Sequence, residues 1–311
     1  MTDGLRVYSA EQVHAALPWP QLVTALERAF AAPAEAPLRH AHDLGGCDRL
    51  LLMPAWNAQA LGVKVVTVMP GAAARGAPTV AATYLLCDRA TGVPRALLDG
   101  EALTLRRTAA TSALAARLMA RTEAASLLVV GTGRLAPYMA RAHCALRPAL
   151  QRVHLWGRSA PRAQTLAQTL RDEGLPVEAA ADLEDAVRAA DIVSCATTAT
   201  EPPVHGAWLA EGTHLDLVGG FTPQMREVDD HAETRSRVVV DTYAGALAEA
   251  GDLLGPLARG AIGRAQIVAE LAELVRGERA GRTRAAEITL FKSVGSALED
   301  LAAAELVVST T

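Results

Sequence analysis

Residues 126–130, Ser-Leu-Leu-Val-Val, form an apolar run that ends at Gly131-Thr-Gly133-Arg-Leu-Ala136, and an apolar-periodic stretch follows. A G-x-G-x-x-A between a buried strand and a helix has a mechanical meaning. Gly131 permits the tight turn, Gly133 lets the backbone approach a pyrophosphate, and Ala136 lets the helix pack closely on the strand. The helix would then present unpaired N–H groups and its positive dipole end to phosphate oxygens. Pro137 suits a first helical turn, where its missing donor costs nothing. A dinucleotide ligand is therefore expected here.

The next strand, Val-His-Leu-Trp, runs into Gly157-Arg158-Ser159 with no carboxylate at its tip. An acid at that place would hydrogen-bond the ribose of NAD and repel a 2′-phosphate. Arg158 beside Ser159 can instead bind the phosphate through charge-assisted hydrogen bonds, with Arg162 as a helper. The expected cofactor is NADPH, with NADH as the alternative.

Lys64 lies inside the apolar run 63–68, where a solitary charge is costly unless it is paired or bound to something. Arg107 stands beside Arg106 on a helical segment, a pattern that an exposed face also produces. The cysteines, Cys47, Cys87, Cys144 and Cys195, contain no C-x-x-C pair and read as structural thiols. There is no H-E-x-x-H, and the neighbours His40 and His42 lack a third ligand, so no metal is expected.

These groups sit in a chain of 311 residues, which at about 150 residues per domain suggests two domains. Hydrophobic residues make up 50%, enough for a sizeable core. The net charge of −4 disfavours a nucleic-acid partner held by bulk charge. No window approaches the roughly 18 apolar residues that a membrane span needs. The opening MTDGLRVYSAEQV lacks the basic start and apolar stretch of a signal peptide. A soluble, cytoplasmic protein without a membrane partner is expected.

Helical periodicity over 11–31, broken near Pro18 and Pro20, predicts two short helices. Segments 50–54, 62–69, 79–87 and 94–98 predict an antiparallel sheet, with a hairpin loop at Asp-Arg-Ala-Thr-Gly (88–92), and a helix over 101–121 follows. From Ser126 apolar strands alternate with helices, which argues for a doubly wound parallel sheet. The segment from about Ile288 reads as one apolar helix.

Several stretches together carry a resemblance: LGVKVVTVMPG, GAPTV, LLDG, LTLRRTAATSALAA, VVGTG, THLDLVGGFTPQMREVD, VVVDTYAGALAEAGDLL and FKSVGSALEDLAAAELV. The sequence resembles the ornithine cyclodeaminase/μ-crystallin family of NAD(P)-dependent enzymes over nearly its whole length. The resemblance implies a substrate-binding and dimerisation domain (1–119 with 289–311), a Rossmann domain (120–288) and a homodimer. It implies a substrate-carboxylate clamp of Arg39, Lys64 and Arg107. It also implies cofactor contacts at Thr132, Arg134, Leu135, Arg158, Ser159 and Thr197, with Thr79 and Ser293 near the nicotinamide.

Cyclodeamination needs a general base near the amine. Cyclodeaminases place an Asp after the GG of the VGG segment and a Glu ahead of L-M-P, where this chain has Phe221 and Leu51. Neither side chain takes up a proton, so that activity is disfavoured. The segment from Gly220 to Glu227 is similar to the version in cyclic ketimine reductases, which convert Δ1-pyrroline-2-carboxylate and Δ1-piperideine-2-carboxylate to L-proline and L-pipecolate. A cyclic imine arrives with its ring closed; the enzyme must hold the carboxylate, exclude water and present a hydride to the C=N carbon. Phe221 would shape the ring pocket, and Lys64 or a water would supply the proton. Two rivals are an alanine-dehydrogenase-like reductive amination, with His42 or His214 as acid–base group, and a non-catalytic NADPH-binding protein.

Overall fold

The computed structural model describes residues 4–310; the first three residues of the opening segment and Thr311 lie outside the described residues. The chain divides into two compact units, residues 1–108 with 296–311 and residues 109–295.

The first unit is built on a six-stranded sheet in the order β1-β6-β5-β4-β3-β2. Its strands are β1 (Arg6–Tyr8), β2 (His40–Gly45), β3 (Asp48–Trp56), β4 (Ala60–Val68), β5 (Val80–Asp88) and β6 (Pro94–Asp99). All pairings are antiparallel except β1 with β6. The β5–β6 hairpin turns as its composition requires: Asp88 accepts from the amides of Ala90 and Thr91, and Gly92 takes φ 72°. In register, Met53, Lys64 and Tyr84 stand side by side and buried. This inner face packs against helix Ala297–Thr310, which contacts β3, β4 and β5. The predicted helix pair is present as Ala10–Ala16, with a Ser9/Gln12 capping box, and Trp19–Ala31. Strands β1 and β2 escaped the sequence reading: one is a single turn's length, and the other, His-Ala-His-Asp-Leu-Gly, is exposed throughout and lacks an apolar alternation.

The second unit is a parallel eight-stranded sheet, the doubly wound α/β architecture expected from the strand–helix rhythm. Its strands are β7 (Ser126–Val130), β8 (Arg152–Trp156), β9 (Val177–Ala179), β10 (Ile192–Cys195), β11 (His214–Leu217), β12 (Ser236–Val240), β13 (Ile267–Glu270) and β14 (Ile288–Lys292), ordered β13-β12-β14-β11-β10-β7-β8-β9. The chain leaves β7 toward β8 and β9, then returns to β10 on the other side, so β7 and β10 flank the topological switch point, where such folds take their ligands.

One expectation is corrected. Residues 288–292 are not the start of a helix. Ile-Thr-Leu-Phe-Lys is β-branched and aromatic, and it fills the gap between β11 and β12, so the helix begins only at Ala297. The two compact units meet in sequence at 108/109 and 295/296. Helix Gly100–Met119 belongs to the second unit from residue 109, where Arg147 and Arg282 hold the carbonyls of Ala116 and Met119.

Cys87 and Cys195 are buried, Cys144 is half-buried and Cys47 exposed, all as free thiols. No helix among the described residues is long and apolar enough to cross a membrane.

Candidate active site

Lys64 is only 2% exposed, because strand alternation turns it to the inner face of β4. Its partner comes from the far end of the chain. The Nζ donates to Asp300 Oδ1 at 2.9 Å, lies 2.7 Å from Oδ2, and reaches Thr104 Oγ1 at 3.2 Å. Arg107, equally buried, donates from Nε to the same Oδ1 at 2.9 Å and from Nη1 to Glu299 Oε2 at 2.6 Å. Glu299 also caps its own helix, since its Oε1 accepts from the Ser296 amide at 3.1 Å. Both carboxylates therefore sit in the first turn, where the dipole favours negative charge. Arg39, half-buried ahead of β2, acts on Lys64 through its charge. Burial pulls the Lys64 ammonium down to about 8; Asp300 opposes the fall, and Arg107 and Arg39 add to it. Lys64 and Arg107 are thus buried side by side against Asp300 and Glu299, with the charge of Arg39 acting on Lys64, a grouping of cations suited to an organic anion.

In the second unit the Gly131 turn has the form its sequence implies. Gly131 takes φ 129°, and a Cβ there would lie 2.5 Å from the Ala196 carbonyl oxygen. A Cβ on Gly133 would meet nothing, so the turn offers an open backbone approach. Helix Ala136–Leu146 starts here with Pro137 in its first turn, and Thr132, Arg134 and Leu135 lie on the turn before it. These features fit a dinucleotide's phosphates. Gly157 is needed because a side chain would strike Thr132 Cγ2 at 2.5 Å. Arg158 is exposed, and half-buried Ser159 precedes helix Ala160–Asp172 without capping it through its side chain.

The remaining predicted residues are placed as follows. Thr197, just past β10, donates from its amide and hydroxyl to Glu227 Oε1 at 2.7 and 3.0 Å. Ser293 is buried, with its hydroxyl on Asp241 at 3.2 Å. Thr79 is exposed before β5, and its carbonyl accepts from the Met69 amide. Phe221 is 41% exposed beyond β11, and Leu51 is half-buried on β3. His214, a rival acid–base group, is fully buried in β11 with Nδ1 on Thr289 Oγ1, and burial pulls it to about 3. That location removes it from any such role. Among the described residues no three His, Cys, Asp or Glu side chains converge as a metal ligand set.

Several charged groups were missed. Glu299 and Asp300 carried a signal, the S-x-x-E of Ser296–Glu299, which the misread helix start concealed. Lys292, in the apolar strand Ile-Thr-Leu-Phe-Lys, carries the same solitary-charge signal as Lys64; it is fully buried and ion-paired with Asp252 at 2.8 Å. Glu227, Asp252 and the buried Asp241 had no comparable sequence signature.

The family model for ornithine cyclodeaminase/mu-crystallin proteins matches residues 6–311. The chain belongs to this family. Its curated relatives include a Δ1-pyrroline-2-carboxylate reductase of Colwellia psychrerythraea, 37% identical over 312 residues, covering 98% of each chain. Among solved structures, the Δ1-pyrroline-2-carboxylate reductase of Thermococcus litoralis in complex with NADH and L-proline superposes with a TM-score of 0.93 at 34% identity, covering 98% of this chain and 97% of the other. An archaeal alanine dehydrogenase dimer with bound NAD superposes at 0.92 with 27% identity, covering 98% of this chain and 95% of the other. Within the ornithine cyclodeaminase/mu-crystallin family, then, the cluster around Lys64 and the Gly131 turn occur in a fold shared with nicotinamide-dependent enzymes.

Proposed function

We propose that the protein reduces a cyclic ketimine carboxylate, Δ1-pyrroline-2-carboxylate or Δ1-piperideine-2-carboxylate, to the cyclic amino acid, with NADPH preferred over NADH. As a class of enzyme this is an NAD(P)H-dependent oxidoreductase acting on a carbon–nitrogen bond. The observation that carries the reading is the pair of buried cations Lys64 and Arg107, with Arg39 close enough for its charge to act on Lys64, combined with apolar residues where a cyclodeaminase has carboxylates.

The substrate carboxylate is held by Arg39, Lys64 and Arg107; guanidinium forks supply planar contacts and the ammonium a point charge. The backbone from Gly131 to Ala136 would hold the phosphates of a reduced nicotinamide cofactor and Arg158 and Ser159 its 2′-phosphate, with Thr79, Thr197 and Ser293 as the residues that would serve its nicotinamide half. When bound, that cofactor would supply the hydride for the C=N carbon. Phe221 covers the apolar ring of the substrate. Because Lys64 Nζ is poised near 8, it holds a proton at neutral pH and can release it toward the imine nitrogen, and a water is the other donor. Neither Phe221 nor Leu51 offers the base that ring closure from an open diamine requires.

The residues divide as substrate-binding (1–119 with 289–311) and cofactor-binding (120–288) in function, even though helix Gly100–Met119 and β14 are shared differently in packing. A homodimer is part of the reading: Leu61 and Val65 are 36% and 37% exposed on the outer face of β4, apolar surface that a second copy would cover. Sedimentation velocity tests it, with a monomer as the contrary result. The activity is tested by following NADPH and NADH oxidation with each cyclic imine, and with pyruvate plus ammonia. Rapid NADPH oxidation with a cyclic imine is expected. Turnover confined to pyruvate plus ammonia would replace this reading with the alanine-dehydrogenase one.

A further inference from the structure

Where β10 and β11 run out, their ladder hydrogen bonds end at Ala196 and Val218, which donate to Val130 and Cys195. The next donor on each strand has no neighbouring strand carbonyl to meet. One carboxylate takes both: Glu227 Oε1 accepts from the Thr197 amide at 2.7 Å and Oε2 from the Gly219 amide at 2.6 Å. Glu227 is in turn fixed from behind, because its own amide donates to Asp252 Oδ1 at 2.6 Å, and Asp252 Oδ2 is ion-paired with Lys292 at 2.8 Å. All three side chains are fully buried. The space around them is closed. A Cβ on Gly219 would lie 2.3 Å from Glu227 Oε1, and one on Gly220 would lie 2.3 Å from Asp252 Oδ2. Burial works against the Lys292 charge, yet Asp252 and Glu227 together hold it above the ordinary lysine value.

The chain lies next to the ligand crevice. Ala196, which precedes Thr197, presses its carbonyl against Gly131, and Phe221 follows the clamped Gly219-Gly220 turn. We propose that Lys292, Asp252 and Glu227 are positioning residues for the reaction: a buried charge chain that ties the ends of β10 and β11 together and so sets where the nicotinamide half of the cofactor and Phe221 stand. The proposal rests on the ketimine-reductase reading only for its kinetic readout. The phosphate end of the cofactor is held separately at Gly131–Ala136, so the chain governs the rate of hydride transfer more than cofactor affinity. A misplacement of about 1 Å costs roughly 100-fold in rate.

Glu227→Gln is the sharpest probe, because each of its two oxygens accepts from a backbone N–H and one end of a glutamine must present NH2 to such a donor. Lys292→Met keeps Glu227 but removes the counter-charge, and serves if the first variant does not fold. Asp216→Asn is a structural control; Asp216 is buried in the same sheet, where it accepts from Ser194 and pairs with His143 deeper along the strands, and it shares no hydrogen bond or ion pair with Glu227, Asp252 or Lys292. Hydrogen exchange over residues 196–199 and 218–222, NADPH binding by fluorescence, and kcat with protiated and 4-deuterated NADPH are measured on the intact proteins. The expected result for E227Q is exchange at both segments about tenfold faster, little change in NADPH affinity, kcat lower by roughly 100-fold and a larger deuterium isotope effect. K292M should move the same way by a smaller factor, and D216N should change melting temperature alone. Unchanged exchange in E227Q and K292M, or an equal loss of kcat in D216N, overturns the proposal. If the wild-type protein turns over no imine, the functional reading fails, while faster exchange at the two strand ends still upholds the tether and unchanged exchange still refutes it.

Discussion

Lys64→Met is expected to make the protein more stable and less active. The ammonium is buried with Asp300 on one side and two guanidinium charges acting on it, and the balance lowers it from 10.5 to about 8. At about 1.4 kcal/mol per unit, keeping Lys64 charged at pH 7 costs on the order of 3 kcal/mol, with the attraction of Asp300 already counted. Methionine is similar in length and apolar, so it removes that cost, and Asp300 keeps the Arg107 Nε as a buried partner at 2.9 Å. At roughly 2–4 °C per kcal/mol the melting temperature should rise by about 5–10 °C. Activity should move the other way. Losing a charge-assisted contact to the substrate carboxylate is worth about 1.5–3 kcal/mol, a fall in kcat/KM of roughly 10- to 150-fold.

The pH dependence has a definite sign. Below about 8 Lys64 carries its proton in both folded and unfolded chains, so the stability gap between K64M and wild type is constant. Between about 8 and 10.5 the unfolded chain holds a proton that the folded one has released, so wild-type stability rises relative to K64M and the gap closes. Calorimetry at pH 7 and at alkaline pH, with steady-state kinetics, measures all three effects. A K64M protein that melts below wild type at pH 7, or a gap that persists through the alkaline range, refutes the reasoning.

Arg107→Met should behave oppositely in stability, because it strips a hydrogen-bonded partner from both Glu299 and Asp300; a loss of about 3–5 kcal/mol is expected from urea midpoints. Arg158→Ala should raise the KM for NADPH by roughly tenfold, since an exposed charge-assisted contact is discounted by solvent, and leave the KM for NADH unchanged. Gly131→Ala places a Cβ 2.5 Å from the Ala196 carbonyl oxygen at φ 129°, and titration with NADPH should show binding lost while circular dichroism retains the fold.

Much of this architecture is legible in the residues. The four antiparallel strands, the helix after them and the strand–helix alternation from Ser126 all follow from local pattern, and Gly131 and Gly157 stand where strand ends demand them. Lys64 announced itself because an apolar strand cannot carry a free ammonium. What stayed hidden depends on pairing across long separations. Asp300 meets Lys64 across 236 positions of sequence, and nothing local to either residue names the other. The Glu227–Asp252–Lys292 chain is invisible for the same reason, as Glu and Asp in loops and short helices look like solvent-facing residues until a fold buries them. β14 was misread because an apolar run continuous with a helix has no periodicity of its own.

The split construction of the first unit has a consequence for how the protein is made. Its sheet is finished by residue 99, but the helix that covers the inner face, and the two carboxylates that neutralise Lys64 and Arg107, are encoded from residue 296 onward. The Rossmann unit, contiguous from 109 to 295, can fold on the ribosome as soon as it emerges. The first unit must wait through that whole interval with an apolar sheet face uncovered and two buried cations lacking counter-charges. Synthesis thus reverses the usual N-terminal-first order, and the nascent first half is the stage at which the protein is most exposed to chaperones and to aggregation.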